Sequence, residues 1–211
     1  MKLYIYDHCP FCIRARMAFA LKHVAVELAV IAEGDVATPT AMVGRKVVPI
    51  LQKTDGSYMA ESLDIVRYVD ALDGAPIFER NTAPELEAWT SKAWGLACKL
   101  FVPRFTQADF PELATDAARA AFIERETRAF GDLQQVLDQS PAMIAEMDAL
   151  LTELAPLLQG REEVVIGDIV LWPVLRSLSI VKGLTFPAEV LAYMHGLQQR
   201  TGIDLLFAQA R

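Results

Sequence analysis

The 211-residue sequence has few cysteines and no long hydrophobic run. Three cysteines are too few, and odd in number, for a framework of structural disulfides. No segment approaches the roughly 20 uninterrupted apolar residues of a membrane span, and Arg16 and Lys22 close off the apolar stretch between them. The start of the sequence also lacks the pattern of a secretory signal. Cytoplasmic residence without a membrane partner is therefore expected.

Positive charge is also scarce. Lys and Arg number 20 against 27 Asp and Glu, which gives a net charge of −7 at pH 7. Nucleic-acid recognition requires concentrated Lys and Arg, so no nucleic-acid partner is expected. The hydrophobic fraction of 53% favours a large helical core over an exposed apolar surface.

The sequence divides into a mixed half and a helical half. Up to residue 72 the patterns follow the order strand, helix, strand, helix, hairpin, helix. The stretch 73–84 contains Gly, Pro and Asn and is predicted to be a linker. An α/β domain over 1–72 and an all-α domain over 85–211 are predicted, with helices near 85–107, 115–138, 141–158, 168–181 and 188–201.

The most informative motif is Cys9-Pro10-Phe11-Cys12, where a strand gives way to a helix. Cys9 is predicted to cap this helix, because proline suits the first helical position. Unpaired N–H groups and the helix dipole favour an anion there and so lower the pKa of the thiol. Cys12, one turn further on, is close enough to form a disulfide with Cys9. Basic residues outnumber Asp7 around this motif and would add to the stability of a thiolate: Lys2, Arg14, Arg16 and Lys22.

Two other interpretations of the cysteine pair stay open on the residues alone. A zinc site would need two more ligands, and the candidates form no second paired motif: Cys98, His8, His23 and His195. A purely structural pair is disfavoured by the strand-to-helix corner. A redox site without metal is the favoured interpretation, and Cys98 is expected to be a buried, inert thiol.

Two further segments are candidates for ligand binding. In Val48-Pro49, proline opens a short strand, where it is tolerated only at an edge or a special turn. A cis bond, which is infrequent in X-Pro pairs, would turn the Val48 backbone toward Cys9 to pair with an extended peptide. Glu61-Ser62 opens a helix, where Ser62 could hold a carboxylate and Glu61 an ammonium. A plain N-cap serine is the alternative.

In combination, these motifs resemble the thioredoxin-fold domain shared by glutaredoxins and glutathione transferases. The stretches 6–10, 38–44 and 102–105, together with the helical second half, resemble the large bacterial glutaredoxins built like a glutathione transferase. The likeness spans the whole chain. It implies a thioredoxin-like N-terminal domain, an all-α C-terminal domain and a glutathione-transferase-like architecture.

The resemblance also implies a role for each motif. Cys9 would be the nucleophile, Cys12 the resolving thiol and Pro49 a cis-proline. Val48 would pair its backbone with the cysteinyl part of glutathione, and Glu61 and Ser62 would hold the γ-glutamyl end. The implied glutathione-binding set is Cys9, Pro10, Phe11, Val48, Pro49, Glu61 and Ser62. One departure from the transferase pattern is Val165, which replaces the Ser or Thr that normally caps a helix together with Asp168.

The predicted function is that of a glutaredoxin, a glutathione-dependent thiol-disulfide oxidoreductase acting on glutathionylated or disulfide-bonded proteins. Glutathione is then a co-substrate, and no metal is implied. One alternative is a glutathione transferase that conjugates electrophiles, which would not need Cys12. Another is a non-catalytic binding module, which has no use for the complete set of site residues. The nearest resemblance suggests a monomer, while the wider transferase family suggests dimers.

Overall fold

The first half of the chain builds a small mixed sheet with helices. The computed structural model describes residues 1–72, 74–76, 78, 83–161 and 163–211, so the predicted linker lies largely outside the described residues. The order of elements agrees with the predicted alternation of strands and helices. They are β1 (Lys2–Ile5), α1 (Pro10–Leu21), β2 (Glu27–Val30), α2 (Ala37–Val43), β3 (Ile50–Gln52), β4 (Tyr58–Met59) and α3 (Ser62–Asp70).

The four strands lie in the order β2-β1-β3-β4. β1 runs parallel to β2, as the intervening helix predicts, and antiparallel to β3. β3 and β4 form the predicted hairpin, whose turn is stabilised by Asp55. Its Oδ1 accepts hydrogen bonds from the main-chain N of Ser57 at 2.9 Å and from its Oγ at 2.6 Å.

Apolar side chains from the central strands and two helices form the core of this half. α1 and α3 pack against each other, and fully buried side chains come from both helices and from β1 and β3: Leu3, Ile13, Met17, Ile50, Leu51, Ile65 and Val66. β2 is an edge strand, and its Leu28 and Val30 are exposed. Because β1 lies between β2 and β3, the Cys9 motif that follows it begins at the centre of the sheet.

Helix α2 begins earlier than the sequence pattern indicates. Thr38 and Pro39 predict an N-cap followed by the first helical residue, but α2 already includes Ala37. The Thr38 N–H is instead bound by the Oδ1 of Asp35 at 2.9 Å. This carboxylate takes the capping role that the pattern assigned to the threonine. The predicted end at Gly44 is confirmed, with a left-handed φ of 78°.

The second half of the chain is helical, as predicted. Its helices are α4 (Pro84–Phe105), α5 (Asp116–Phe130), α6 (Leu133–Asp138), α7 (Ser140–Leu154), α8 (Ile166–Leu178) and α9 (Ala188–Thr201). The single helix predicted over 115–138 is wrong, because Gly131 has a φ of 79° and the Asp132 side chain caps α6. No helix in the described parts of the chain is long and apolar enough to cross a membrane.

Helix α8 lies at the centre of the helical half. Most of its residues are buried on all sides, as its continuous apolar pattern predicts. Asp168 is buried at its first turn and accepts hydrogen bonds from the Val165 N–H at 2.8 Å, from Arg161 at 3.0 Å and from the Tyr193 hydroxyl at 2.8 Å. Arg161 and Tyr193 thus bind this carboxylate, although the hydroxyl expected at Val165 is missing.

Contacts between residues divide the chain into two units that do not coincide with its two halves. The first unit contains residues 1–76 together with 109–125, and the second contains 77–108 and 126–211. Residues 109–125 comprise a short 3-10 turn (Pro111–Leu113) and the beginning of α5. At Gly34, with a φ of 90°, an added Cβ would lie 3.0 Å from the Cβ of Ala121. This close approach requires glycine and lets α5 pack on the first unit.

Candidate active site

Cys9 stands at the start of α1, at the predicted N-cap position. Its backbone is extended, with φ −75° and ψ 117°, and its carbonyl accepts the first helical hydrogen bond from Ile13 at 3.1 Å. Pro10 occupies the first helical position. Cys9 is partly exposed, whereas the Cys12 side chain is fully buried and accepts a hydrogen bond from the Tyr6 N–H at 3.4 Å. One thiol is therefore accessible, and the other is held behind it.

The pKa values of the two thiols are shifted in opposite directions. A hydrogen bond from Cys12 lowers the pKa of Cys9, burial opposes this effect, and the charge of His8 lowers the pKa further. The result is a Cys9 pKa of about 7, in the direction that the helix start predicts. Burial, and then the neighbouring Cys9, raise the pKa of Cys12 well above its ordinary value. At pH 7 about half of Cys9 is therefore a thiolate, whereas Cys12 stays a thiol.

The expected excess of positive charge around Cys9 is smaller than the sequence suggests. Three of the four basic side chains have carboxylate partners: Lys2 with Glu27 at 2.8 Å, Lys22 with Asp70 at 3.3 Å, and Arg16 with Asp7. The fourth, Arg14, lies over the ring of Phe11, with 4.7 Å between its guanidinium carbon and the ring centroid. Local hydrogen bonds and His8, rather than a general basic environment, account for the acidity of Cys9.

The strand register brings the other predicted segments to the same end of the sheet. Ile50 pairs with Tyr4, so continuing this antiparallel register sets Val48 and Pro49 beside the residues that lead from β1 to Cys9. The hairpin pairs Leu51 with Met59, so the chain leaves β4 toward Glu61 and Ser62 at the same end of the sheet. The Val48–Pro49 bond is cis, as the resemblance implies. Three chain segments distant in sequence therefore converge at this edge.

Glu61 and Ser62 are arranged differently from a simple helix cap. Glu61, not Ser62, occupies the N-cap position of α3, and no side-chain hydrogen bond caps that helix within the described residues. Glu61 has a φ of 70°, which is uncommon for a residue with a side chain and often marks a functional site. Its carboxylate is exposed and forms an ion pair with Arg45. Phe11, also partly exposed, lies next to Cys9 in the sequence.

Sequence analysis did not detect one partner of this site. Glu112, which is 104 residues from His8, accepts hydrogen bonds from the His8 main-chain N at 2.8 Å and from ring Nδ1 at 2.6 Å. Its side chain is fully buried. A charged residue that is enclosed by tertiary structure has no local pattern, so only the isolated Glu in an apolar stretch could have drawn attention to it.

Groups elsewhere in the described parts of the chain show no sign of redox or metal chemistry. Among the described residues, no three His, Cys, Asp or Glu side chains are grouped as a metal site. Cys98 is buried in α4, and burial raises the pKa of its thiol to about 12, so it is inert. The second unit has a cavity of about 390 Å³ lined in part by Arg161, Asp168 and Tyr193, which contains none of the residues predicted for the site.

Comparison with known proteins shows which families the two halves of the chain match. Residues 85–210 match the family model "Glutaredoxin 2, C terminal domain", and residues 3–77 match "Glutathione S-transferase, N-terminal domain". Glutaredoxin 2 of Escherichia coli K12 is 44% identical over 214 residues, and the match covers all of both chains.

Solved structures show the same likeness. The structure of glutaredoxin 2 from Salmonella typhimurium, in complex with glutathione, has a TM-score of 0.96 and 42% identity, covering 100% of this chain and 98% of that one. A glutathione S-transferase from Ceriporiopsis subvermispora shares the fold alone, with a TM-score of 0.75 and 13% identity over 94% of this chain and 96% of that one.

The fold and the cysteine pair define a two-domain oxidoreductase with a thioredoxin-like α/β domain, an all-α domain and a glutathione-transferase-like architecture. The chain belongs to the glutaredoxin 2 family. This membership confirms the predicted fold class and the predicted function as a glutathione-dependent thiol-disulfide oxidoreductase.

Proposed function

We propose that Cys9 is the nucleophile and Cys12 the resolving thiol of this oxidoreductase. The observation that carries the proposal is the asymmetry of the pair: a partly exposed Cys9 with a pKa of about 7 stands before a buried Cys12 whose pKa is raised. The thiolate is the attacking species in disulfide exchange, and its partner should stay protonated until the second step.

With a glutathionylated substrate, Cys9 alone is sufficient. Its thiolate attacks the glutathione sulfur, a Cys9–glutathione disulfide forms, and the substrate leaves as a thiolate that takes up a proton. A second glutathione thiolate then attacks the glutathione sulfur of this intermediate. Oxidised glutathione leaves, and the Cys9 thiolate is restored. One free glutathione thiol is thereby oxidised for each mixed disulfide reduced, and the other half of the oxidised glutathione is the glutathionyl group that was already in a disulfide with the substrate.

A protein disulfide requires both cysteines. Cys9 attacks one substrate sulfur and forms a mixed disulfide, and Cys12 then loses its proton and attacks Cys9. The reduced substrate leaves, and a Cys9–Cys12 disulfide remains for two glutathione molecules to reduce. The burial of Cys12 behind Cys9 suits this order, because Cys12 reaches only the sulfur directly in front of it.

For glutathione recognition we propose the residues at the same edge of the sheet. The Val48 main chain beside Pro49 would pair with the cysteinyl part in the manner of an added strand. Glu61 would bind the γ-glutamyl ammonium and Ser62 its carboxylate at the start of α3. Because Glu61 is paired with Arg45, the ammonium would share or displace that partner. Pro10 and Phe11 would line the site beside Cys9.

The test is a glutathione-coupled reduction assay on the wild type, Cys9→Ser and Cys12→Ser. We expect Cys9→Ser to abolish turnover of a mixed disulfide between glutathione and a small thiol, while Cys12→Ser retains much of it but loses protein-disulfide reduction. Equal loss in both variants would contradict the single-cysteine route. Rapid conjugation of a halogenated aromatic electrophile without disulfide reduction would favour a transferase. Glutathione binding without either activity would favour a binding module.

The wider assignment follows from the same proposal. Residues 1–72 would form the glutaredoxin domain, joined by the linker 73–84 to the helical domain over 85–211. We propose a monomer that acts in the cytoplasm on glutathionylated or disulfide-bonded proteins. Sedimentation of the purified protein tests the monomer, and trapping of mixed disulfides by Cys12→Ser in cells tests the protein substrates.

A further inference from the structure

The segment 109–125 brings a buried carboxylate to the residue that precedes Cys9. Oε1 of Glu112 accepts two hydrogen bonds from His8, one from the main-chain N at 2.8 Å and one from Nδ1 at 2.6 Å. The Glu112 side chain is fully buried and that of His8 is 6% exposed. A single oxygen therefore binds both the backbone and the ring of the residue next to Cys9.

The position of Glu112 is secured by a second buried carboxylate. The main-chain N of Glu33 donates to the carbonyl of Glu112 at 2.9 Å. Oε1 of Glu33, also fully buried, accepts from Lys46 at 2.6 Å and from Arg125 at 2.7 Å. Glu33 thus attaches the segment 109–125 to the rest of the first unit. Both carboxylates are buried, and both residues tie the segment 109–125 to the rest of the first unit. Glu112 binds His8, whereas Glu33 binds Lys46 and Arg125.

The donor and acceptor in the His8 pair can be assigned. The pKa of Glu112 is lowered although burial alone would raise it, because hydrogen bonds and the charge of His8 outweigh burial. An ionised carboxylate only accepts hydrogen bonds, so Nδ1 of His8 carries the proton. The ring is held between three aromatic side chains, with centroid distances of 5.5 Å to Tyr6, 5.7 Å to Phe110 and 5.1 Å to Phe122.

The two ends of this pair act on different thiols. The charge of His8 acts on Cys9 and favours its thiolate, whereas the charge of Glu112 acts on Cys12 and opposes its ionisation. Other titratable or charged groups on the elements packed against His8 and Cys9 include Tyr6, Asp7 paired with Arg16, Arg14 stacked on Phe11, and Arg125, which lies over the Phe122 ring and is paired with Glu33.

We propose that Glu112 is a positioning residue for disulfide exchange, which acts through His8 to orient Cys9 and to polarise the two thiols in opposite directions. This inference rests on the proposed function of Cys9 and extends it to a residue in the second half of the sequence. Glu112 makes no contact with the substrate in this role.

The test compares Glu112→Gln with Glu33→Gln as a matched control. An amide oxygen at position 112 can still accept both His8 hydrogen bonds, so these two bonds are kept while the charge is lost. An ionised Glu112 favours positive charge on the ring that it binds, so we expect the pH midpoint of Cys9 alkylation to rise when this carboxylate charge is removed. A rise of half a pH unit would lower the thiolate fraction at pH 6.5 about 2.6-fold and would slow alkylation about 1.6-fold, because the less acidic thiolate is the better nucleophile. Peptide-resolved mass spectrometry separates Cys9 from Cys12 and Cys98.

Glu33→Gln should lower the melting temperature and leave the Cys9 midpoint unchanged. A wild-type midpoint or a lower one in Glu112→Gln, or an equal rise in Glu33→Gln, would overturn the proposal. If Glu112→Gln does not fold, nitrogen NMR of the reduced wild type decides: Nδ1 of His8 should be protonated from pH 6 to 8, and an unprotonated Nδ1 would overturn it. Disulfide reduction by the wild type is measured in parallel, so failure of the proposed function itself is recognised separately.

Discussion

Replacement of Cys12 should change the acidity of Cys9 in a way that depends on the hydrogen bond between them. That bond is the largest contribution to the low Cys9 pKa. Cys12→Ala removes the donor, whereas Cys12→Ser keeps a hydroxyl that can donate to the thiolate. We expect the midpoint of Cys9 alkylation to rise by about one pH unit in Cys12→Ala, and by clearly less in Cys12→Ser.

The midpoint is a better measure than the rate at one pH. With a pKa of about 7, half of the Cys9 population is ionised at pH 7, against about 3% of an ordinary thiol with a pKa near 8.5. This roughly 15-fold gain in thiolate is reduced about fivefold, because nucleophilicity falls with pKa. The net advantage at pH 7 is therefore only about threefold.

The assay is alkylation of the reduced proteins by iodoacetamide from pH 5 to 9, followed at the Cys9 peptide. Since each variant is compared with itself across pH, differences in access to the sulfur do not enter the midpoint. Coincident midpoints for the wild type and Cys12→Ala would refute the hydrogen bond as the main cause. Equal rises for the alanine and serine variants would assign the effect to packing instead.

Three further outcomes follow from the structure. Asp168→Ala should cost roughly 3 kcal/mol of unfolding free energy and Tyr193→Phe about 1 kcal/mol. The fluorescence of the three tryptophans, all in the second unit, reports both losses, and equal losses would contradict the network. Glu61→Gln should raise the KM for glutathione about tenfold with kcat nearly unchanged, and a fall in kcat alone would count against the ammonium contact. Because Cys9 ionises at a lower pH folded than unfolded, its ionisation should contribute about 1 kcal/mol of stability between pH 7 and 8.5. The stability that the wild type gains relative to Cys9→Ser over this range measures the contribution, and the same pH dependence in both proteins would contradict it.

Local patterns were sufficient for the order of elements and for the position of Cys9. The N-cap at Cys9 and the Asp55 hairpin depend on residues within a few positions of each other. The parallel β1–β2 pair follows from the helix between the two strands. The break at Gly131 was missed because helical spacing continues on both sides of it. The start of α2 was missed because Asp35 and Thr38 are both good caps, and only the backbone shows which is used.

Contacts between distant segments were beyond the sequence. The arrival of 48–49 and 61–62 at the Cys9 end of the sheet follows from the strand directions, and their roles in glutathione binding stay a prediction from the resemblance. The pairing of Glu112 with His8 had no such precedent, because it joins residues 104 positions apart. The basic residues around Cys9 were counted correctly, but their carboxylate partners were not foreseen, so the local charge was overestimated.

Because the first unit is built from two separate stretches of the chain, it cannot be isolated by a single truncation. A chain cut after residue 76 would retain both motif cysteines and the 48–49 and 61–62 segments, but it would lack Glu112. Residues 1–76 alone therefore do not contain the complete environment of Cys9. Domain exchange with a single-domain relative would have to carry residues 109–125 as well, and a graft without them would put an unanchored His8 directly before the reactive sulfur.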